Sequence, residues 1–161
     1  MNSIILPKKI EKRLKEESER TGVSEEEIIL EALSKTLKEP IDPETKAEIH
    51  LKLSEKYMVD AEDFLKRGDY VQASEKAWGA ASQIVKAIAV KEGKELRSHG
   101  ELHKYIVKIV KENRDEEIRL LWQSAGMLHQ NFYENWLPKE MVEGNIKDVK
   151  KFIEKLKQLL K

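Results

Sequence analysis

The sequence predicts an all-α protein with one short strand at its N-terminus. Three observations carry this. Gly (7) and Pro (4) are scarce in 161 residues, so tight turns are few. Apolar residues recur at three- and four-residue spacing through most of the chain. Charge rests on 24 Lys and 24 Glu against 6 Arg and 6 Asp, and Lys and Glu are good helix formers. That Lys/Glu excess, with only ten Asn and Gln together, is also a thermophile composition.

The elements follow in order. Asn2 to Leu6 reads as a short extended stretch, stopped by Pro7, which suits the first turn of a helix. Ile10 and Leu14 give a helical stripe that Thr21-Gly22 ends. Ser24 with Glu27 three residues on is a capping box. Ile28, Ala32, Leu33 and Leu37 form the next stripe, and Pro40 and Pro43 bracket a linker. One strand and two short helices cannot bury much alone, and a lone strand needs a partner. The Leu6-Pro7 junction, Ile10, Leu14, Thr21-Gly22-Val23-Ser24, Ile28, Ala32-Leu33 and Leu37 resemble the ribbon-helix-helix family over about residues 2–38. That resemblance implies a homodimer or larger assembly, clasped by antiparallel pairing of residues 2–6, and in many members a ribbon laid in the DNA major groove.

Residues 41–161 read as five amphipathic helices in an up-down bundle. Asp42 to Lys66 is the first, and Arg67-Gly68-Asp69 turns into Tyr70 to Lys91. Gly93 ends that helix, and Ser98 with Glu101 opens the third, which Asn113 breaks. The fourth runs from about Asp115 to Trp136 and stops at Leu137-Pro138. Met141 to Leu160 is the last. The small residues Ala77, Gly79, Ala80, Ala81 and Ser82 predict close approach to Ser124-Ala125-Gly126, since small side chains let backbones meet. The stretch Gly68-Asp69-Tyr70 with Ala73 and Ala77 looks like half a tetratricopeptide repeat, but such arrays need at least about three units. The expected domains are therefore residues 1–40 and 41–161.

Composition excludes several classes. Thirty basic and thirty acidic residues cancel, so neither a strongly basic nucleic-acid sponge nor an acidic tail is present. The absence of Cys removes thiol chemistry and Cys-ligated metal. No apolar run reaches membrane-span length, and Met1 to Pro7 is too short for a signal-peptide core, so a cytoplasmic protein without a membrane partner is expected. No cofactor is expected.

The densest chemical signal is Leu128-His129-Gln130-Asn131-Phe132-Tyr133-Glu134. With the Arg67-Gly68-Asp69-Tyr70 turn, the Ala/Trp-rich second bundle helix and Ser98-His99-Gly100-Glu101-Leu102, it resembles the HEPN superfamily, and within it the archaeal PaREP family, over about residues 44–160. That resemblance implies an RNA-directed ribonuclease of the toxin–antitoxin or defence kind. His129 would be its acid/base, with Asn131 and Tyr133 orienting substrate. HEPN nucleases place an Arg before the His with four to six residues between them, and here the pattern fails. Arg119 lies nine intervening residues ahead of His129, about 15 Å along a helix at about 1.5 Å per residue. Arg97 and His99 are too close together, and Arg114 precedes no His at that gap. The plainer reading makes His129 a part-buried residue bonded to a neighbouring helix, and Trp122, Phe132 and Trp136 core. His99 and His103, four apart, are weak metal candidates, since a third ligand would have to come from another helix or from Glu101, which is better used in the cap. His50 stands alone as a helix-face residue.

DNA reading depends on the N-terminal ribbon. Alternation puts Ser3 and Ile5 outward if Ile4 and Leu6 face the helices. Only Ser3 is a base-reading type, and an outward Ile5 could pack on the second domain instead. Lys8, Lys9, Lys12 and Arg13 form one basic cluster. Residues 1–40 hold 8 basic and 9 acidic side chains, however, and Glu25-Glu26-Glu27 at a helix start suits the dipole but repels phosphate. The expected protein is a dimeric binding or regulatory one, associated with nucleic acid, using the module mainly to dimerise. DNA, RNA or a protein are the candidate partners. A HEPN-type nuclease and a purely structural oligomer are the alternatives.

Overall fold

The computed structural model describes residues 3–161. Seven helices span them: α1 Lys8–Thr21, α2 Glu25–Leu37, α3 Pro43–Lys66, α4 Tyr70–Lys91, α5 His99–Asn113, α6 Glu116–Glu134 and α7 Lys139–Leu159. The described residues contain no strand. This corrects the expected ribbon. A strand exists only through ladder bonds to a neighbour, and among the described residues nothing pairs with residues 3–6. The ribbon-helix-helix arrangement is therefore not present in the single chain. Asn2, which belongs to that expectation, lies outside the described residues. Ile5 does not pack on the rest of the protein either, being 96% exposed.

The helix boundaries follow local chemistry. Gly22 closes α1 in the left-handed region at φ 76°, its N–H donating to the Ser18 carbonyl. Ser24 and Glu27 form the full reciprocal box at the start of α2. Asp42 caps α3 ahead of Pro43, its carboxylate accepting from the Thr45 N–H at 2.7 Å. Ser98 caps α5 by accepting from the Glu101 N–H, but Glu101 returns to the Arg97 N–H, so that box is displaced by one residue. Asn135 ends α6 in the left-handed region, which Asn tolerates better than most residues.

α4 is the axis of the molecule. It packs along α3 and meets α6 and α7, α6 and α7 pack on each other, and α5 leans on α4 and α6. From Ala77 to Val90 it is buried almost without a break. The core joins Tyr57, Trp78, Ile84, Val85, Ile106, Trp122, Leu128, Phe152 and Leu156 across α3 to α7. Ala77, Ala80 and Ala81 of α4 and Ala125 of α6 are fully buried, and the two helices pack on each other, as small residues permit. Two glycines behave otherwise. A Cβ on Gly79 would lie 3.2 Å from the Tyr57 ring, so Gly79 admits α3 rather than α6, and Gly126 faces open space.

α1 and α2 contain no buried residue. They pack on each other, and no Cα of either comes within 8 Å of one in α3 to α7. Long side chains alone bridge that gap.

Phe152 is fully buried, its ring 5.6 Å from that of Trp122. Phe152→Ala is expected to cost about 3–5 kcal/mol of unfolding free energy, through lost transfer energy and the cavity left behind. Urea unfolding followed by helical circular dichroism checks this, with the loss appearing in the midpoint and not in the slope.

Candidate functional site

The α1–α2 turn overhangs a face of the bundle made by α4, the start of α5 and the end of α6. Between them lies a cleft of about 280 Å³, lined by Trp78, Lys86, His99, His129 and Tyr133 among others. His129 lies flat on the Trp78 ring, with centroids 4.7 Å apart and planes inclined at 25°. His99, at the first position of α5, comes 4.7 Å from the His129 ring, and Tyr133 stands edge-on to it at 5.3 Å. A Cβ on Gly22 would lie 3.2 Å from His99 Nε2, so the turn's backbone covers this imidazole closely. Glu75 on α4 reaches His129 Nδ1 at 3.2 Å. A carboxylate on Nδ1 selects the tautomer whose Nε2 is the free acceptor. The arrangement therefore offers an oriented imidazole, a second imidazole in contact with it and an aromatic floor.

The sequence pairs His99 with His103 by their spacing, but the fold separates their surroundings. His103 Nδ1 accepts from Trp122 Nε1–H at 2.9 Å, while His99 turns to His129. Among the described residues no cluster of three or more His, Asp or Glu could hold a metal. Asn131 does not reach the cleft. It is buried, donates to Ser74 Oγ at 3.0 Å, and accepts from the N–H groups of Trp136 and Leu137 at 3.0 and 2.8 Å. It fastens the end of α6 to α4. Tyr133 lines the cleft and is exposed. Trp122 and Phe132 are buried and half-buried, and Trp136 is exposed, contrary to its reading as core. Arg119 is paired to Glu116 on its own helix, and Arg97 bonds Glu95 and Glu31.

Beside the histidines sits a second polar cluster that sequence reasoning missed. Lys86, 3% exposed, donates to both oxygens of Glu27 at 3.2 and 3.1 Å. Gln83 Nε2 donates to the same carboxylate at 3.2 Å, and His50 Nδ1 lies 2.6 Å from Gln83 Oε1 and 3.4 Å from Glu27. Glu26 accepts from Tyr57 OH at 2.5 Å and from Lys56 at 2.9 Å. Glu27 and Glu26, at the acidic start of α2, thus face the bundle and tie the helix pair to it. Burial would raise the Glu27 carboxyl, but the Lys86 charge, helped by the Ser24 N–H, outweighs it and holds it below the ordinary range. The available signal was Lys86 itself, a single charge in the apolar run from Ile84 to Val90. His50 gave none.

Ser3, Ile5, Lys8, Lys9, Lys12 and Arg13 are all exposed, away from the cleft. Arg13 pairs with Glu16 at 3.3 Å, and no ion pair to another described residue involves Lys8, Lys9 or Lys12.

A helical bundle with a histidine-lined cleft, joined to an N-terminal helix pair, is the class of protein these features define. The chain belongs to the archaeal PaREP1/PaREP8 family, whose model matches residues 49–153. A protein of Sulfolobus solfataricus, solved by crystallography, is similar at 30% identity and a TM-score of 0.60. The match covers 68% of this chain and 97% of that one. No curated protein matches. The matched family residues include His50, Glu75, Gln83, Lys86, His99 and His129, and exclude α1 and α2. No helix is long and apolar enough to cross a membrane among the described residues.

Burial depresses His50. It also depresses His99, to which His129, His103 and Lys86 add their positive fields. The unfolded chain, with ordinary His values of about 6.5, therefore binds more protons than the folded one below that pH. Stability from their neutral burial is complete above about pH 6.5 and falls as pH drops toward the depressed folded values. The thermal midpoint is expected to fall between pH 7.5 and 5.5, and His99→Gln to flatten that slope. Scanning calorimetry across the range reads both.

Proposed function

We propose that the chain is a dimeric binding and regulatory protein that works on nucleic acid, with the N-terminal helix pair as its clasp. One observation carries this reading. Neither amphipathic helix has a fully buried residue, and Ile4, Ile5, Ile10 and Leu37 stand half-exposed or more, with Leu33 exposed beside them. An apolar surface of this kind is covered in a stable protein. The occupant with the best support is a second copy. The open backbone of residues 3–6 can pair antiparallel with itself, and the stripe positions match the ribbon-helix-helix pattern, in which two chains share one core. Lys8, Lys9, Lys12 and Arg13 then form a doubled basic ridge beside the paired ribbon. Glu26 and Glu27 are turned onto the bundle and bonded there, which lessens the repulsion of phosphate near α2 and leaves Glu25 exposed.

A second reading is favoured by the contact of His99 with His129 and by Glu75 on Nδ1. It is an RNA-directed HEPN-type ribonuclease. One imidazole would take the proton of a 2′-hydroxyl as it attacks the adjacent phosphorus, and the other would protonate the departing 5′ oxygen. Lys86, the buried cation on the cleft wall, is already bonded to Glu27, so the binding reading stands first.

Sedimentation of the full chain is expected to give a dimer, and Ile5→Lys with Leu37→Lys a monomer whose bundle stays folded. A labelled duplex should shift at low salt and lose affinity steeply as salt rises. Replacing Lys8 and Lys9 by Glu should lower that affinity at least about tenfold, by analogy with the loss of several phosphate contacts. A monomeric wild type would end the clasp reading.

Single-stranded RNA in the same incubation tests the second reading. If it holds, Glu75→Gln lowers cleavage about 10²–10⁴-fold, the usual worth of an oriented general base, with the helical signal unchanged. RNA left intact by the wild type would remove it.

A further inference from the structure

Lys86 raises a question that the cleft does not answer. Its flanking residues on α4, from Ile84 to Val90, are all buried. An ammonium in such surroundings is costly unless it is paired. Yet it makes no ion pair with any described acid of α3 to α7, and its partner is Glu27. The bundle therefore supplies a buried cation and two supporting groups but no anion. His50 Nδ1, at 2.6 Å, holds the Gln83 carbonyl oxygen and so aims the Gln83 amide nitrogen at the Glu27 carboxylate. Lys86, Gln83 and His50 thus converge on the place where the Glu27 oxygens lie.

Two further observations bear on what this receptor is for. His50, Gln83 and Lys86 fall within the residues that match the family, whereas Glu27 falls outside them. A cavity of about 270 Å³ also opens directly beside the pair, with Ile49, Val90 and Leu96 of the bundle on its walls and Leu30 of α2 across from them. A carboxylate head in the position of Glu27 would have room beside it for an apolar body. The tether itself is light. Glu26, Glu27 and Glu31 lie on one face of α2, and through Lys56, Tyr57, Lys86 and Arg97 they cross a gap where no α1 or α2 Cα nears α3 to α7.

We propose that Lys86, Gln83 and His50 form a pocket for a small organic acid, that Glu27 is its tethered occupant, and that a free acid taking its place releases the N-terminal helix pair from the bundle. The inference needs neither a dimer nor nucleic acid, so it stands or falls apart from the functional reading above. A tethered group competes at an effective concentration in about the millimolar range. A free acid must exceed that to displace Glu27, and needs far less where Glu27 is disarmed.

The test uses the full chain as wild type, E27Q, K86M and the double variant E27Q/K86M, with sodium hexanoate as the probe and sodium phosphate and chloride at matched ionic strength as controls. Thermal midpoints and hydrogen exchange of α1 and α2 are read. E27Q is expected to melt below wild type and to regain the difference in hexanoate, at half-saturation at least tenfold lower than wild type requires. Saturating hexanoate should speed α1 and α2 exchange in wild type at least tenfold, with α3 to α7 still protected. K86M and the double variant should show no hexanoate response. Failure of hexanoate to restore E27Q overturns the proposal, as does an equal response in K86M or an equal effect of all three salts. Rescue by phosphate but not hexanoate overturns the organic-acid assignment. Should E27Q not fold, K86M decides. It replaces a buried charge by an apolar chain of similar length, so the bundle should persist while α1 and α2 exchange quickly without any acid, and unchanged protection of α2 there refutes the tether.

Discussion

One helix must be buried almost all round, and the rest of the structure answers that requirement. α4 runs from Ala77 to Val90 nearly without an exposed position, so α3, α6, α7 and the start of α5 close around it. Its alanines make this possible by letting neighbouring backbones approach. The single cation of that buried stretch, Lys86, is the exception that a close-packed apolar shell cannot satisfy. The carboxylate that satisfies it comes from α2. The same burial requirement thus sets the core and places the N-terminal helix pair over the cleft.

Two kinds of cohesion result, and they differ in strength and in reversibility. Within α3 to α7 the contacts are dispersion and area burial, spread over many side chains such as Leu128, Phe152 and Leu156. Between the helix pair and the bundle they are a few charge-assisted hydrogen bonds. Removing one partner of a buried pair leaves an unpaired charge and costs about 3–5 kcal/mol, whereas replacing both by apolar groups is often neutral. The bundle is therefore the rigid part, and the seating of the helix pair depends on a handful of polar atoms. The histidine cleft sits on that seam, with Gly22 of the turn against His99.

The N-terminal module and the cleft were legible to different degrees, for physical reasons. Capping is local chemistry, so Ser24 with Glu27, Asp42 with Thr45 and the Gly22 stop could be read from a few residues each. The strand could not be read that way, because its bonds belong to whatever lies opposite it. The LHQNFYE stretch marked the right place in α6, but mixed two roles. His129 and Tyr133 face the cleft, while Asn131, between them in sequence, points inward to Ser74. His99 was visible as part of the Ser98-to-Leu102 stretch and as a neighbour of Arg97 and His103, but not as a partner of His129, since spacing along one helix is all that a sequence displays. Its contact with His129 joins α5 to α6 and has no local signature.

By itself the sequence determined the helical class, the approximate limits of each helix and the apolar faces, because propensity, capping and periodicity act over a few residues. It also carried the likeness to the PaREP family that the family match over residues 49–153 bears out. Only the tertiary structure decided that Glu27 is both a cap and a counter-ion, that Glu75 orients His129, and that His50, Gln83 and Lys86 form one cluster. These are meetings of side chains some thirty to sixty residues apart. The packing of α4 among its neighbours brings them together, and no spacing within one helix encodes that.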